Sequence, residues 1–359
     1  MNKPGLTEDK VDGVLATAAH GPGWALCIGA GTSLPAFPDW NRLVRRLFHR
    51  LVEDGAEQIA EALSALFSAD ALIQAASTHS ESNPADFAQI LTDELYRDFL
   101  EIFDDSERPL VVRALSAVRP GDLSPARWRR FLDLLHDHWD GRMSCLSIAP
   151  LVSETLGTVL SPAAILSFNA EPLLFAAVNA HQACGGHGEE GGVPQRVDRV
   201  VRGISNRSVG RIPYVFCHGL LPIPGNETTR PNAASIDKLV FSEAAYLQLA
   251  GNVYSWQATS FLEACASRRV VFVGLSLSDA NMRRWLSWVH DSRMDELHQI
   301  GRADAISTQH LWLNLDPGDP QLRSWIEASV AHLGVRLVWL TSWDAIGPVL
   351  ARMLNPRGA

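Results

Sequence analysis

The chain has 359 residues, of which 47% are hydrophobic and 20% charged, a globular composition sufficient for one large or two medium domains. Its formal net charge of −9 argues against a general nucleic-acid-binding surface, because phosphate binding requires an excess of basic residues. Local arginine clusters, which are more typical of solvated helix faces than of binding sites, occur at Arg42, Arg45, Arg46 and Arg50 and at Arg127, Arg129 and Arg130. We therefore expect no direct nucleic-acid binding.

The cysteines are scattered and include no C-x-x-C pair, which favours reduced thiols over disulfides or a structural zinc site. There are five: Cys27, Cys145, Cys184, Cys217 and Cys265. The first twelve residues are polar and lack the apolar core of a signal peptide. No apolar run approaches the roughly 18 residues that a membrane span needs. These features predict a soluble cytoplasmic protein without a metal.

The first strong signal in the chain is a short apolar segment that runs into a glycine turn. Trp24 to Ile28 has the length and bulk of a buried strand, and Gly29–Ala30–Gly31–Thr32–Ser33 follows it directly. Glycines allow a tight turn without side chains, so the free N–H groups of Gly31, Thr32 and Ser33 would form a phosphate site. The alternative is an ordinary tight turn, since the third glycine of G-x-G-x-x-G is absent.

The next hundred residues read almost entirely as helix, beginning with an apolar stripe over residues 41–51. Asn83–Pro84 and Ser124–Pro125 are typical of helix starts, with a cap followed by proline. We interpret residues 45–155 as a large helical insertion, or cap, after the first strand of a core made of residues 1–44 and 156–359. The alternative is a separate helical domain, although the strand pattern resumes immediately afterwards.

The rest of the chain alternates short apolar strands with helices, which indicates a parallel sheet covered on both faces. The predicted strands are residues 163–168, 214–217, 269–273, 310–315 and 335–340. Residues 184–211 are interpreted as a mobile loop or hairpin, and residues 221–237 as a second loop. The predicted fold class is α/β with a Rossmann-like parallel sheet.

Four of the predicted strands end in residues suited to chemistry. These ends are Gly29 to Ser33, Asn169–Ala170–Glu171, His218–Gly219, and Gly274 to Asp279. In a parallel sheet the carboxyl ends share one edge, so the four segments converge on one crevice. Taken singly, each segment is weak evidence for a functional site, since Asn169 could also cap a helix and His218 is one of 12 histidines.

The order of these segments resembles that of the sirtuin (silent-information-regulator) superfamily, which uses NAD. The matching segments are Gly29–Ala30–Gly31–Thr32–Ser33 with Pro38–Asp39–Trp40, Phe168–Asn169–Ala170–Glu171, His218–Gly219 and Gly274–Leu275–Ser276. Residues 271–279 are also similar to a signature of a bacterial branch of that superfamily used in anti-phage defence. Members of that branch hydrolyse NAD.

The sequence departs from the superfamily pattern at several points, and these departures bear on which of the superfamily's activities the chain has. Deacylases of the superfamily carry two zinc-binding C-x-x-C pairs, and their absence here argues for the NAD-hydrolysing branch. Glu171 replaces the aspartate of the Asn-x-Asp motif and is one methylene longer. The loop from Ser33 to Pro38 is about one residue shorter than in deacylases, and the arginine that follows the aromatic residue is displaced to Arg42.

The resemblance implies that the chain hydrolyses NAD, its substrate, to nicotinamide and ADP-ribose as the toxic effector of an abortive-infection system. Asn169 would orient a ribose hydroxyl or the attacking water, and His218 would act as general base. The expected NAD-binding residues are Gly29, Ala30, Gly31, Thr32, Ser33, Asp39, Trp40, Glu171, Gly274, Ser276 and Asp279. Asp39 or Glu171 would stabilise the ribosyl cation. The alternatives are a non-catalytic NAD or ADP-ribose sensor and an ADP-ribosyl cyclase.

The resemblance also implies that activity is switched on by assembly. The expected partners are further copies of the chain, a hexameric ATPase or helicase, or a short Argonaute complex. The helical insertion is the natural place for such contacts.

Overall fold

The protein is organised around one parallel β-sheet. The computed structural model describes residues 4–52, 54–80, 84–185, 195–205, 207–225, 235, 238–252, 254–302 and 309–355. Its strands are β1 (Leu6–Thr7), β2 (Trp24–Ile28), β3 (Ala164–Ser167), β4 (Val197–Val200), β5 (Ile212–Phe216), β6 (Arg269–Val273), β7 (His310–Leu315) and β8 (Val335–Leu340). They form one 8-stranded sheet in the order β1-β8-β7-β6-β2-β3-β5-β4, and every pairing is parallel.

Helices connect the strands and cover the sheet. They are α1 (Ala16–Ala19), α2 (Trp40–Leu51), α3 (Ala56–Ser64), α4 (Ala69–His79), α5 (Pro84–Glu101), α6 (Arg108–Ser116), α7 (Pro125–Trp139), α8 (Ser144–Thr155), α9 (Leu173–Gly185), α10 (Glu243–Gly251), α11 (Trp256–Ser267), α12 (Ala280–Gln299), α13 (Pro320–Ala331) and α14 (Ile346–Leu354).

Both faces of the sheet are buried, because alternate side chains of a strand point to opposite sides. On β2, Leu26 and Ile28 belong to one hydrophobic cluster, together with α8, α9 and α14. Ala25 and Cys27 belong to a second cluster, together with α11, α12 and α13. The prediction of an α/β fold with a Rossmann-like parallel sheet covered on both faces is confirmed.

Two strands were not predicted. The two residues of β1 pair with β8 at the sheet edge, so the helical block follows the second strand rather than the first. A strand of two residues is too short to produce a periodic pattern. β4 lies within residues 184–211, interpreted above as a loop or hairpin, and that interpretation is wrong for residues 197–200. Its central residues, Asp198 and Arg199, are charged but buried, which hides the strand from an apolar pattern.

Some expectations lie outside the described residues. Asn83, expected to cap a helix, is among them, as are residues 186–194 of the first loop and residues 226–234, 236 and 237 of the second. The matching expectation at Ser124 is confirmed, because its hydroxyl accepts the N–H of Arg127 one residue before Pro125 begins α7.

The helices between β2 and β3 pack directly on the core. Residues from α2 to α8 belong to the same continuous hydrophobic cluster as one face of the sheet. The proposed boundary between residues 44 and 45 falls inside α2. The division of the chain into a core and an insertion therefore describes the order of the elements along the chain and not two separate hydrophobic cores.

The arginines of α2 pair with carboxylates of neighbouring helices. Arg42 and Arg46 contact Asp98 of α5, and Arg45 lies 3.9 Å from Glu57 of α3. Exposed ion pairs of this kind each contribute about 0.2–1 kcal/mol. This cluster connects helices rather than presenting a row of unpaired cations.

All five cysteines are free, and four of them are buried. Burial raises the pKa of the thiols of Cys27, Cys145, Cys217 and Cys265. Within the described residues, no helix has the length and apolar character needed to cross a membrane.

Candidate functional site

The carboxyl ends of four neighbouring strands open onto one cleft. β6, β2, β3 and β5 are adjacent in the sheet, so the segments that follow them meet at one edge, as predicted. The cleft has a volume of about 800 Å³ and is called the strand-end cleft below. The expected site residues that line it are Gly29, Ala30, Gly31, Asp39, Trp40, His218, Gly274, Ser276 and Asp279.

The glycine turn is held by hydrogen bonds within the protein. The N–H of Gly31 donates to the carbonyl of Gly274 at 3.0 Å. The N–H groups of Thr32 and Ser33 donate to Gly29 and Ala30, because the turn tightens into a short 3-10 helix. The prediction that these three N–H groups are free for phosphate oxygens is therefore wrong. Thr32 is fully buried, and its hydroxyl also donates to Gly29.

The glycines allow two loops to approach each other closely. Gly274 has a φ of +66°, and a Cβ there would lie 2.5 Å from the backbone nitrogen of Thr32. A Cβ on Gly31 would lie 2.9 Å from the Cα of Gly274. The absence of side chains thus brings the loops after β2 and β6 into backbone contact.

We expect Gly274→Ala to destabilise the protein more than an alanine placed at another left-handed glycine. The positive φ and the backbone overlap together should lower the unfolding free energy by about 2–4 kcal/mol, measured by chemical denaturation. Gly141→Ala is the control, since Gly141 has a φ of +65° and no atom within 4 Å. Equal losses in the two variants would contradict the role of close packing.

Glu171 organises the segment that follows β3. Its carboxylate accepts hydrogen bonds from the Ser33 hydroxyl at 2.6 Å, the Asn169 amide at 2.9 Å and the Leu173 N–H at 2.5 Å. Burial raises the pKa of Glu171, whereas these hydrogen bonds lower it. Glu171, rather than Asn169, supplies the cap at the start of α9.

Asn169 is held by its amide nitrogen and leaves its carbonyl oxygen available. It is 5% exposed, and Nδ2 contacts Glu171, Ser33 and Thr32. Its Oδ1 has no hydrogen-bond partner among the described residues. The side chain is therefore fixed in orientation and can still accept one hydrogen bond from a ligand or water.

A second cavity, called the inner cavity below, adjoins the strand-end cleft and shares part of its lining. It has a volume of about 40 Å³, enough for a water molecule. Ser33, Asn169 and Glu171 line it. Ala30, Asp39, Trp40 and Phe168 line both spaces.

His218 lies at the end of β5 in an aromatic enclosure. The imidazole is 4.7 Å from the ring of Phe168, 5.4 Å from Tyr246 and 6.2 Å from Trp40, measured between centroids. Only 4% of the residue is exposed. Its Nδ1 has no partner among the described residues.

Asp279 and Tyr246 contact the other imidazole nitrogen. His218 Nε2 lies 3.4 Å from the Tyr246 hydroxyl and 3.7 Å from Oδ2 of Asp279. Burial lowers the pKa of His218, and the nearby Asp279 carboxylate partly opposes this by raising it. The imidazole is thus neutral at pH 7, the form that a general base requires.

The two aspartates of the cleft also begin helices. Asp39 accepts the N–H of Arg42 at the start of α2, and Asp279 accepts the N–H of Met282 at the start of α12. Each side chain is held by this bond at the wall of the cleft. Both carboxylates therefore contribute negative charge there.

The cleft-lining residues that sequence reasoning did not assign to the site include Tyr246, Ser278 and Arg284. Ser278 lies inside the segment from Gly274 to Asp279 that the sequence singled out, and Arg284 lies in α12, which begins directly after that segment, so closeness to it could have identified both. Tyr246 lies in α10 and carries no local signal. Among the described residues, no group of three or more histidine, cysteine or acidic side chains is arranged to hold a metal ion.

A comparison with models of known protein families finds a match to part of the chain. Residues 189–329 match the family model of the SIR2-like domain. This region includes His218 and the segment from Gly274 to Asp279, whereas the glycine turn and Asn169 lie outside it and join them only in the folded structure. No curated protein matches the chain. Over residues 189–329 the chain is therefore similar to the SIR2-like domain, which indicates a sirtuin-type, NAD-related function.

Proposed function

We propose that the protein hydrolyses NAD to nicotinamide and ADP-ribose in the strand-end cleft. The observation that carries the proposal is the arrangement of Asn169 and His218. They follow the paired strands β3 and β5, flank Phe168, and each keeps a buried polar atom that has no hydrogen-bond partner within the part of the chain that the structure describes. A cleft of about 800 Å³ is within the range of small-molecule sites. The similarity to the SIR2-like domain supports NAD as the ligand.

The reaction breaks the bond between the ribose C1′ and the nicotinamide nitrogen, and the bonding electrons pass to the nicotinamide ring. The ribose becomes cationic, as in glycoside hydrolysis. In our proposal Asn169 Oδ1 orients a water from the inner cavity toward C1′. The water oxygen then bonds to C1′, and its proton passes to His218.

Negative charge near the ribose favours the cationic transition state. Asp39 lines both the strand-end cleft and the inner cavity. The carboxylate of Glu171 is occupied by Ser33, Asn169 and Leu173. We therefore assign cation stabilisation to Asp39, and to Glu171 the positioning of Asn169.

The enclosure of His218 supports a resting state. Tyr246 covers the imidazole, and α10, which carries Tyr246, contacts the helical block through the Ala244 N–H and the side chain of Gln74. We propose that assembly with further copies, a hexameric ATPase or a short Argonaute complex moves α10 and exposes His218. The resemblance at residues 271–279 supports a role as the toxic effector of an anti-phage defence system.

The same enclosure favours one alternative, a sensor that binds NAD or ADP-ribose without turnover. To separate the two, purified protein, alone and in its native assembly, would be incubated with NAD and the products followed by chromatography. We expect nicotinamide and ADP-ribose in equal amounts. Nicotinamide with cyclic ADP-ribose would indicate the cyclase, and saturable NAD binding without nicotinamide release in the active assembly would indicate the sensor.

A further inference from the structure

The dinucleotide phosphates need a cationic partner that the glycine turn does not supply. The turn N–H groups of Gly31, Thr32 and Ser33 already donate to backbone carbonyls. The strand-end cleft is also lined by four carboxylates, which repel phosphate: Asp39, Asp70, Glu243 and Asp279. A pyrophosphate in this cleft would therefore be stabilised by positive charge from another residue.

Arg284 can supply positive charge to the strand-end cleft. Among the described residues that line the cleft, it is the only arginine or lysine. It lies in the second turn of α12, and helical side chains lean toward the N-terminus, here toward the loop of Ser276 and Ser278. Its side chain is exposed, and its contact with the Asn281 side-chain oxygen is long, at 3.5 Å.

The neighbouring arginine is used differently. Arg283 donates to the carbonyls of Leu277 and Ser329 at 3.1 and 2.9 Å, so its guanidinium is held by the fold. Arg284 has no carboxylate partner among the described residues. Its planar set of N–H donors is therefore free to bind phosphate oxygens.

Two hydroxyls from the loop that precedes α12 also line the cleft. The Ser276 and Ser278 oxygens are 2.6 Å apart, and both residues are exposed. Leu277 between them has a φ of 52°, unusual for a residue other than glycine, and its side chain is 1% exposed. Burial of Leu277 thus places the two serines side by side on the cleft.

We propose that Arg284, assisted by the hydroxyls of Ser276 and Ser278, binds the pyrophosphate of the nucleotide. The proposal rests on the proposed function, since it assumes a dinucleotide in the strand-end cleft. It makes Arg284 a binding residue, and recognition is by charge and hydrogen bonding rather than by a glycine-turn nest.

The test measures binding of ADP-ribose, which has the pyrophosphate, and adenosine, which lacks it, by calorimetry. We expect Arg284→Met to weaken ADP-ribose binding about 10- to 100-fold, the loss typical of charge-assisted hydrogen bonds. Adenosine binding should change less than about threefold. Arg284→Lys should recover part of the affinity because it keeps the charge. Arg293→Met is the matched control, since Arg293 lies on the same helix, outside the cleft, and contacts Gln309.

The outcomes separate the two proposals. If the wild-type protein binds neither NAD nor ADP-ribose, either alone or in its native assembly, the proposed function fails. If it binds ADP-ribose and Arg284→Met binds it equally well, the proposed function stands and the assignment of Arg284 is overturned. An equal loss of ADP-ribose and adenosine affinity would also overturn it, since that result indicates a general disturbance of the cleft. A weaker dependence on salt in Arg284→Met supports the assignment.

Discussion

His218→Ala should reduce NAD hydrolysis by about 10²–10⁴-fold, the usual contribution of general base catalysis. The variant removes the imidazole that the structure places at the end of β5, beside Phe168 and Asp279. Because the ring packs among aromatic side chains, alanine leaves a cavity there. His218→Gln keeps most of the volume and should lose activity to the same extent. The measurement is the initial rate of nicotinamide release.

A buried histidine elsewhere in the sheet provides the control. His310 begins β7, is 3% exposed, and its Nδ1 contacts the N–H of Val270 at 3.2 Å. It lies at the amino edge of the sheet, away from the strand-end cleft. His310→Gln should therefore lower stability without a comparable loss of rate. A folded His218→Gln variant with normal NAD loss would remove the base assignment.

The pH profile provides a second readout of His218. A base must be deprotonated, and burial lowers the pKa of His218 below its ordinary value of 6.5. The midpoint of the acidic limb of the rate profile should therefore lie below pH 6.5. Asp279→Asn removes the carboxylate that raises this pKa, so its acidic limb should lie at still lower pH. An acidic limb with its midpoint above pH 6.5 would contradict the assignment of His218 as the general base.

The strands that the sequence predicts well are those buried on both faces. β2, β6, β7 and β8 are continuous apolar runs, and their predicted bounds agree with the structure. β4 contains Asp198, which accepts a hydrogen bond from the N–H of Ser208 and contacts Arg211 at 3.2 Å. Such polar partners lie 10 to 13 residues away, beyond the reach of a local pattern.

The position of the candidate site could be predicted from the sequence, but the hydrogen bonds within it could not. Parallel strand ends fix where Asn169 and His218 lie. The acceptor of the Gly31 N–H is a carbonyl of Gly274, more than 200 residues away in the chain. Tyr246 reaches His218 from a helix that no strand end identifies. Contacts between distant segments depend on the packed fold, so local residue types do not specify them.

Glu171→Ala should destabilise the protein strongly. It removes the acceptor of three buried or partly buried donors, those of Ser33, Asn169 and Leu173. Unsatisfied buried donors and a lost helix cap together should lower the unfolding free energy by about 2–4 kcal/mol. Relief of the burial cost of a carboxylate offsets part of this loss. Chemical denaturation measures the change, and Glu154→Ala, at an exposed position of α8, is the control expected within about 0.5 kcal/mol.

Glu171→Asp separates positioning from stability. Aspartate keeps a carboxylate that can accept the Leu173 N–H and so cap α9, but it is one methylene shorter and cannot also accept from Ser33 and Asn169 in the same geometry. Because Asn169 is oriented through Glu171, we expect kcat to fall about tenfold or more while KM and the unfolding free energy change little. If Glu171→Asp retains full kcat, Asn169 does not depend on the longer side chain. If KM rises at constant kcat, Glu171 acts on substrate binding, and the orientation of the attacking water must come from another residue.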